Sequence, residues 1–167
     1  MTEKVIIAGA GGQGIMLLGK VLSEAAMRES KYVTWLPCYG AEVRGGTANC
    51  MVIISDKEIS SPYINQADSL IIMNEPSLKK FKSRLKNKGL LIVSSSPNHT
   101  FTDIAIKLGN IKVANMVALG CYLRSKKIIH PNSVMQVIED MAPLDKKELI
   151  KINQQALKEG MKLNDQG

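Results

Sequence analysis

The sequence predicts an α/β fold: a three-layer α/β/α sandwich with a mostly parallel, mixed sheet and a helical C-terminal part. It forms a single domain over residues 1–167. Three observations carry this reading. Runs at 5–8, 69–73 and 90–93, apolar throughout except for Ser69, have the pattern of strands buried on both faces. Segments of helical period lie between strand runs, which is the alternation of an α/β domain. The last third shows little strand signal and several helix-start signals.

Element by element, Val5-Ile6-Ile7-Ala8 is apolar and ends in glycines, so it reads as a buried parallel strand. Ile15, Leu18, Leu22 and Ala25/Ala26 recur at helical spacing and predict a helix over 13–29. Tyr32 to Leu36 is β-branched and aromatic, a second strand stopped by Pro37. The first 36 residues thus spell one βαβ unit. A glycine-rich loop at 38–46 leads to a long third strand, Thr47–Ser55, with a short antiparallel return expected at Ile59. Residues 75–88 read as a basic helix closed by Gly89. Further helices are expected near 102–108, 111–124, 132–141 and 146–160. Thr100 with Asp103, Ser133 with Gln136 and Asp145 with Glu148 each have capping-box spacing.

Composition narrows the function classes. Hydrophobic residues are 45% and charged residues 22%, near the average for a globular domain. The apolar residues before Gly9 are too few for the core of a secretory leader, and no run approaches a membrane span. The expected compartment is the cytoplasm. Cys38, Cys50 and Cys121 are scattered and odd in number. That argues against a disulfide framework and against an iron–sulfur cluster held by this chain, which usually takes four thiolates. No metal set is expected.

The formal charge is +7, with Lys79, Lys80, Lys82, Arg84, Lys86 and Lys88 in one group and Lys146, Lys147 and Lys151 in another. These read as solvated helix faces, or as steering for an anionic partner. Only 4% aromatic residues and no supporting motif argue against nucleic acid.

Gly9-Ala10-Gly11-Gly12-Gln13-Gly14 fits G-x-G-x-x-G between a strand and a helix. In that geometry Gly9 permits the tight turn, Gly11 frees backbone N–H groups to face a phosphate, and Gly14 lets helix and strand approach. The helix dipole then favours an anion. Nicotinamide dinucleotides also need an acid at the end of the second strand, and Trp35-Leu36-Pro37 stands there instead. Two readings remain: a phosphate cradle for another ligand, or a turn that only packs strand on helix.

A second cluster, Tyr39-Gly40-Ala41-Glu42-Val43-Arg44-Gly45-Gly46, follows the second strand at the carboxyl edge of the sheet. Open α/β sheets bind ligands at that edge. The flanking glycines suggest a shaped backbone presenting Arg44, whose guanidinium suits carboxylate or phosphate. A solvated surface turn is the alternative. Asn115 interrupts an apolar helix, Val113 to Cys121, and either links helices internally or faces a partner chain. His99 and His130, the two histidines, sit in a turn and at a helix start and read as structural.

These residues carry a resemblance. Gly9 to Gly14, followed by Ile15-Met16-Leu17-Leu18-Gly19-Lys20, resembles the start of the gamma subunit of 2-oxoacid:ferredoxin oxidoreductases. The block Thr34 to Cys50 resembles that family's most distinctive segment, in its 2-oxoglutarate form. Ser61-Pro62, Asn74-Glu75-Pro76 and the stretch Val113 to Gly120 match in order, so the resemblance spans nearly the whole chain. Tyr39 and Glu42 depart from the His and Gln of the related indolepyruvate enzymes.

The resemblance implies a Rossmann-like, non-catalytic gamma chain of an enzyme converting a 2-oxoacid and coenzyme A to acyl-CoA, carbon dioxide and reduced ferredoxin. It places thiamine diphosphate, magnesium and iron–sulfur clusters on partner subunits: the thiamine-binding alpha and beta chains, and a ferredoxin-like delta chain or external ferredoxin. No residue here is expected to be catalytic. Gly9, Gly11, Gly12, Gln13, Gly14 and Arg44 are candidates for phosphate or CoA contact. Tyr39, Glu42, Arg44, Gly45, Gly46 and Asn115 are candidates for the subunit interface. The isolated chain, lacking partners, is expected to self-associate. The alternatives are a free-standing nucleotide-binding oxidoreductase domain, or the equivalent chain of a pyruvate, branched-chain or indolepyruvate enzyme.

Overall fold

A computed structural model of the chain describes residues 1–38, 47–94, 100–143 and 146–163. The first apolar run forms β1 (Thr2–Ala10), and α1 (Ile15–Arg28) and β2 (Tyr32–Cys38) follow. Then come β3 (Thr47–Ser55), β4 (Ala67–Ile72), α2 (Glu75–Phe81), a 3-10 turn (Lys82–Arg84) and β5 (Leu85–Val93). The remainder is helical: α3 (Phe101–Lys107), a 3-10 turn (Ile111–Val113), α4 (Ala114–Ser125), α5 (Pro131–Met141) and α6 (Lys147–Lys162).

The five strands form one mixed sheet in the order β2-β3-β1-β4-β5. β1, β4 and β5 are parallel, while β3 runs antiparallel to both β1 and β2. The expected βαβ unit is therefore opened, because β3 lies between β1 and β2. Eight residues join β2 to β3. A parallel crossover needs a dozen or more, so β3 can only return antiparallel.

That arrangement also removes the return strand expected at Ile59. Both long sides of β3 are already paired, so no edge is left for it. Ile59 instead packs, half-buried, against the core, and Ile64 is wholly buried. Nor does Pro37 stop β2, which continues to Cys38. β2 is an edge strand, where a missing N–H costs no ladder bond.

The basic helix expected over 75–88 is cut short. Asn74 caps α2, its side chain accepting from the Ser77 N–H at 3.0 Å, but the helix ends at Phe81. The Arg84 guanidinium then donates to the carbonyls of Ile64 and Asn65 and lies over the rings of Tyr63 and Phe81. Lys86 pairs with Asp68 of β4 at 2.5 Å, drawing the segment into the sheet. Gly89 thus lies inside β5, not after a helix.

Alternation along the strands divides the core in two. Val5, Ile7, Cys50, Val52, Ile54 and Ile71 face the layer of α1, α3, α4, α5 and α6. Ile6, Ala8, Met51, Ile53, Leu70 and Ile72 face α2 and the 56–66 segment. Burying such an aliphatic side chain contributes about 1.5–3 kcal/mol, so these two-sided strands dominate the stability. α4 and α6 meet most closely: a Cβ on Gly120 would lie 2.1 Å from the Leu157 carbonyl oxygen, and one on Gly160 2.0 Å from that of Val117.

Among the helix starts, Thr100 and Asp103 form the expected capping box on α3. Ser133 does not cap α5, because Pro131 already occupies its first position. The cap is His130, whose Nδ1 accepts from the Asn132 N–H at 3.3 Å. His99 and Asp145 lie outside the described residues. Among the described residues no helix is long and apolar enough to cross a membrane.

Candidate functional site

The carboxyl ends of β1, β4 and β5 share one edge of the sheet with the end of β2 and the start of β3. The turn Gly9 to Gly14 leaves this edge and enters α1. The Gln13 N–H donates to the Ala10 carbonyl at 3.3 Å, and Gly12 and Gly14 take left-handed backbone with φ of 85° and 72°. A side chain at either position would be strained.

Gln13 holds the turn in place. Its Oε1 accepts from the Ala10 N–H at 2.7 Å, and its Nε2 donates to the Met73 carbonyl at 3.2 Å. Its amide therefore ties the turn to the end of β4. The glycine roles differ from the expected ones. Gly9 is the close-packing position: a Cβ there would lie 2.7–2.8 Å from Gln13, Ile15 and Met73. Gly14 caps α1 and makes its close approach to α4, not to a strand. A Cβ on it would stand 2.3 Å from Asn115 Nδ2.

Asn115 is 2% exposed. Its Nδ2 donates to the Gly14 carbonyl at 3.2 Å, and its Oδ1 accepts from the Met116 N–H at 2.9 Å. These bonds make the internal link, joining α4 to the turn across 101 residues of sequence. The turn is thus fixed by two side-chain amides, Gln13 from within and Asn115 from α4.

What the turn leaves open is its outer surface. A Cβ on Gly11 or Gly12 would meet nothing within 4 Å. Among the described residues, no hydrogen bond uses the N–H of Gly11 or Gly12, and no side chain caps α1. Such N–H groups at a helix start suit an anion. Thr47, the first residue of β3, pairs with Ala10, and Lys80 Nζ of α2 donates to Thr47 Oγ1 at 3.0 Å. Sequence reasoning placed Lys80 in a general basic run. Its position over the edge shows only when the strand register is known.

Tyr39, Glu42, Arg44, Gly45 and Gly46 lie outside the described residues, although Cys38 and Thr47 on either side stand at this same edge. Trp35, where a nicotinamide site would need an acid, packs on α1. A Cβ on Gly19 would be 2.9 Å from its Nε1. Cys50 lies beneath, its Sγ 3.7 Å from the Ile15 carbonyl. Burial pushes this thiol up to about 12, against a partly offsetting hydrogen bond with Trp35. It stays protonated and unreactive at neutral pH. Among the described residues no group of three His, Cys, Asp or Glu could hold a metal ion.

Comparison with known proteins fits this edge into a family. The family described as pyruvate ferredoxin/flavodoxin oxidoreductase matches residues 4–163. The 2-oxoglutarate synthase subunit KorC of Archaeoglobus fulgidus is 33% identical over 141 residues, covering 80% of this chain and 75% of that protein. KorC of Methanocaldococcus jannaschii is 32% identical, covering 86% and 85%. The ketoisovalerate oxidoreductase subunit VorA of Methanothermobacter thermautotrophicus is 36% identical over 70% of this chain. The chain spans only 27% of that protein's length, and 20% of the Methanothermobacter marburgensis VorA.

Among solved structures, the gamma subunit of a keto/oxoacid ferredoxin oxidoreductase from Geobacter sulfurreducens superposes with a TM-score of 0.81 at 25% identity, covering 96% of this chain and 94% of that one. A 2-oxoglutarate:ferredoxin oxidoreductase from Magnetococcus marinus, solved with 2-oxoglutarate, coenzyme A and succinyl-CoA bound, shares the fold. Its TM-score is 0.86 at 21% identity, over 96% of this chain and 30% of that one. With its fold, its glycine turn and a match over nearly its whole length, the chain belongs to the pyruvate ferredoxin/flavodoxin oxidoreductase family.

Proposed function

We propose that this chain is the single-domain gamma subunit of a 2-oxoacid:ferredoxin oxidoreductase of the 2-oxoglutarate type. One observation carries the reading: KorC subunits match this chain over most of both lengths, 75–85% of theirs and 80–86% of this one. The VorA matches, by contrast, cover a fraction of a longer protein.

In this reading the chain packs on thiamine-binding alpha and beta subunits and breaks no bonds itself. Thiamine diphosphate with magnesium on those partners would supply the decarboxylation chemistry, and clusters on other chains would take the electrons to ferredoxin. This chain contributes architecture and a contact for coenzyme A, whose pyrophosphate suits the open N–H groups of Gly11, Gly12 and Gly14. Arg44 supplies a guanidinium from the neighbouring loop. Tyr39 and Arg44 are residue types that anchor subunit interfaces.

The rival reading, a free-standing dinucleotide-binding domain, is weakened by topology. β3 separates β2 from β1, so the end of β2 is displaced from where a ribose acid would stand.

Two measurements test the proposal. Affinity purification of the native complex should bring down thiamine-binding chains. A chain that purifies alone and binds NAD(P) or a flavin nucleotide in calorimetry would support the rival. In the assembled enzyme, Arg44→Ala should raise the Michaelis constant for CoA about tenfold or more, as expected for loss of a charge-assisted contact. An unchanged constant with assembly intact would remove Arg44 from the CoA site.

A further inference from the structure

At the far end of α1 lies an open cleft of about 560 Å³, within the ~300–1,000 Å³ range of ligand pockets. α1 runs to it from the glycine turn, so its 14 residues put about 20 Å between the two. The end of α4, the connection to α5, the start of α5 and the end of α6 supply the rest of the lining. Leu123 and Ile129, each 3% exposed, form an apolar wall together with Met161.

The polar lining is Glu29, Arg124, Lys127 and His130. His130 Nδ1 accepts from the Asn132 N–H at 3.3 Å. A ring nitrogen that accepts carries no proton, so the proton is on Nε2. That Nε2–H makes no hydrogen bond with any described residue. Lys127 is in no ion pair among the described residues, whereas the adjacent Lys126 turns inward to Glu3 at 3.4 Å. Arg124 donates to the Met161 carbonyl at 3.1 Å, which holds its guanidinium at the lining.

Glu29 sets the charge. Its Oε1 accepts from the His130 N–H at 2.7 Å, tying the end of α1 to the start of α5 and keeping a carboxylate in the wall. Arg124 and Lys127 set two positive charges against this one, a net of +1. A singly charged anion balances the lining. A dianion leaves one charge uncompensated beside Glu29.

We propose that this cleft binds a monocarboxylate with an apolar body. Arg124 and Lys127 pair with the carboxylate, and the His130 Nε2–H donates to it. The body lies on Leu123, Ile129 and Met161, whose apolar surface favours a hydrocarbon chain over a polar one. The site uses no part of the glycine turn and no partner chain, so it stands or falls apart from the proposed subunit role.

The test is a titration of the full chain, labelled with 15N, with hexanoate, hexanol and succinate at constant ionic strength. Hexanoate should give saturable shifts at the amides of Lys127, Ile128, Ile129 and His130. Hexanol has the body without the charge, and succinate has a second carboxylate in place of the apolar tail. Each should bind at least about tenfold more weakly than hexanoate. Lys127→Met keeps the aliphatic stem and should raise the dissociation constant for hexanoate about tenfold, the loss of one charge-assisted bond. His130→Asn keeps an acceptor for the Asn132 N–H and loses the Nε2 donor, so affinity should fall severalfold with α5 intact. Signal dispersion of each variant reports its fold. Shifts that do not saturate, hexanol or succinate binding as tightly as hexanoate, or an unchanged constant in either folded variant would overturn the site. The comparison of the three probes on the wild-type chain decides the matter even where a substitution unfolds it.

Discussion

Single residues at both ends of β1 show how position decides what a polar group does. Glu3 and Tyr122 are buried at the amino end of the sheet, far along β1 from the glycine turn. The Ser69 hydroxyl donates to the Glu3 carboxylate, and Lys126 Nζ stands 3.4 Å from its other oxygen. Tyr122 lies beside them, fully buried, with no partner for its hydroxyl among the described residues. Burial pushes this phenol well above its ordinary value, and the charges of Glu3 and Asp68 push it further, so it remains protonated. An unsatisfied buried hydroxyl contributes a penalty rather than a bond. Tyr122→Phe keeps the ring and removes that penalty, so it should leave stability unchanged or raise it by up to about 1 kcal/mol. Urea denaturation decides this. A loss of more than about 1 kcal/mol would show that the hydroxyl has a partner, such as a buried water.

At the scale of elements, the α4–α6 contact is the most demanding fit in the fold. Gly120 and Gly160 each bring a helix backbone against the other helix, with no room for a methyl group. In isolation Gly→Ala stabilises a helix by about 1 kcal/mol. Here the added carbon would meet a rigid carbonyl, so the helices must separate. Overpacking of this kind costs about 1–3 kcal/mol or more, enough to reverse the helix-propensity gain. Gly120→Ala and Gly160→Ala should therefore each lower the melting temperature by several degrees. Once one has separated the helices, the second should cost less, giving a non-additive double variant. A stabilised single variant would mean that this contact is looser than its geometry.

The same scale explains what the sequence made legible. Val5 to Ala8, the run at 69–73 and the helix of Ile15 and Leu18 announce themselves by local period, and each stands where expected. Strand order does not follow from period. Whether Thr47–Ser55 lies beside β1 or beyond β2 depends on a short connection and on which edges are free. The end of α2 was hidden for a related reason. Lys86 and Arg84 look like helix-surface cations until Asp68, Ile64 and Asn65 are known to lie opposite them. The candidate site divides in the same way. Its glycine turn is a local motif and could be read, whereas Lys80 comes to this edge only through pairing between distant segments.

For the whole molecule, the question left by the sequence is its +7 charge. A basic surface that steers an acidic protein needs unpaired charges close together. In the segment where the sequence concentrates them, the structure divides the cations among separate tasks. Lys79 and Lys86 are in ion pairs, Arg84 fastens the 56–66 segment, and Lys80 lies over the sheet edge. Lys82 and Lys88, exposed and without a carboxylate partner among the described residues, are what remains of the patch. Two surface charges interacting through water screened at ~8–10 Å provide little steering. In the proposed gamma-subunit role, the double variant Lys82→Ala, Lys88→Ala should therefore change the second-order rate of ferredoxin reduction by the assembled enzyme less than about twofold at low ionic strength. The salt dependence of that rate should keep its wild-type slope. A fall of tenfold or more with a flattened slope would locate the docking surface for the acidic partner on this face of α2. It would also return to the lysine run the function that its internal contacts argue against.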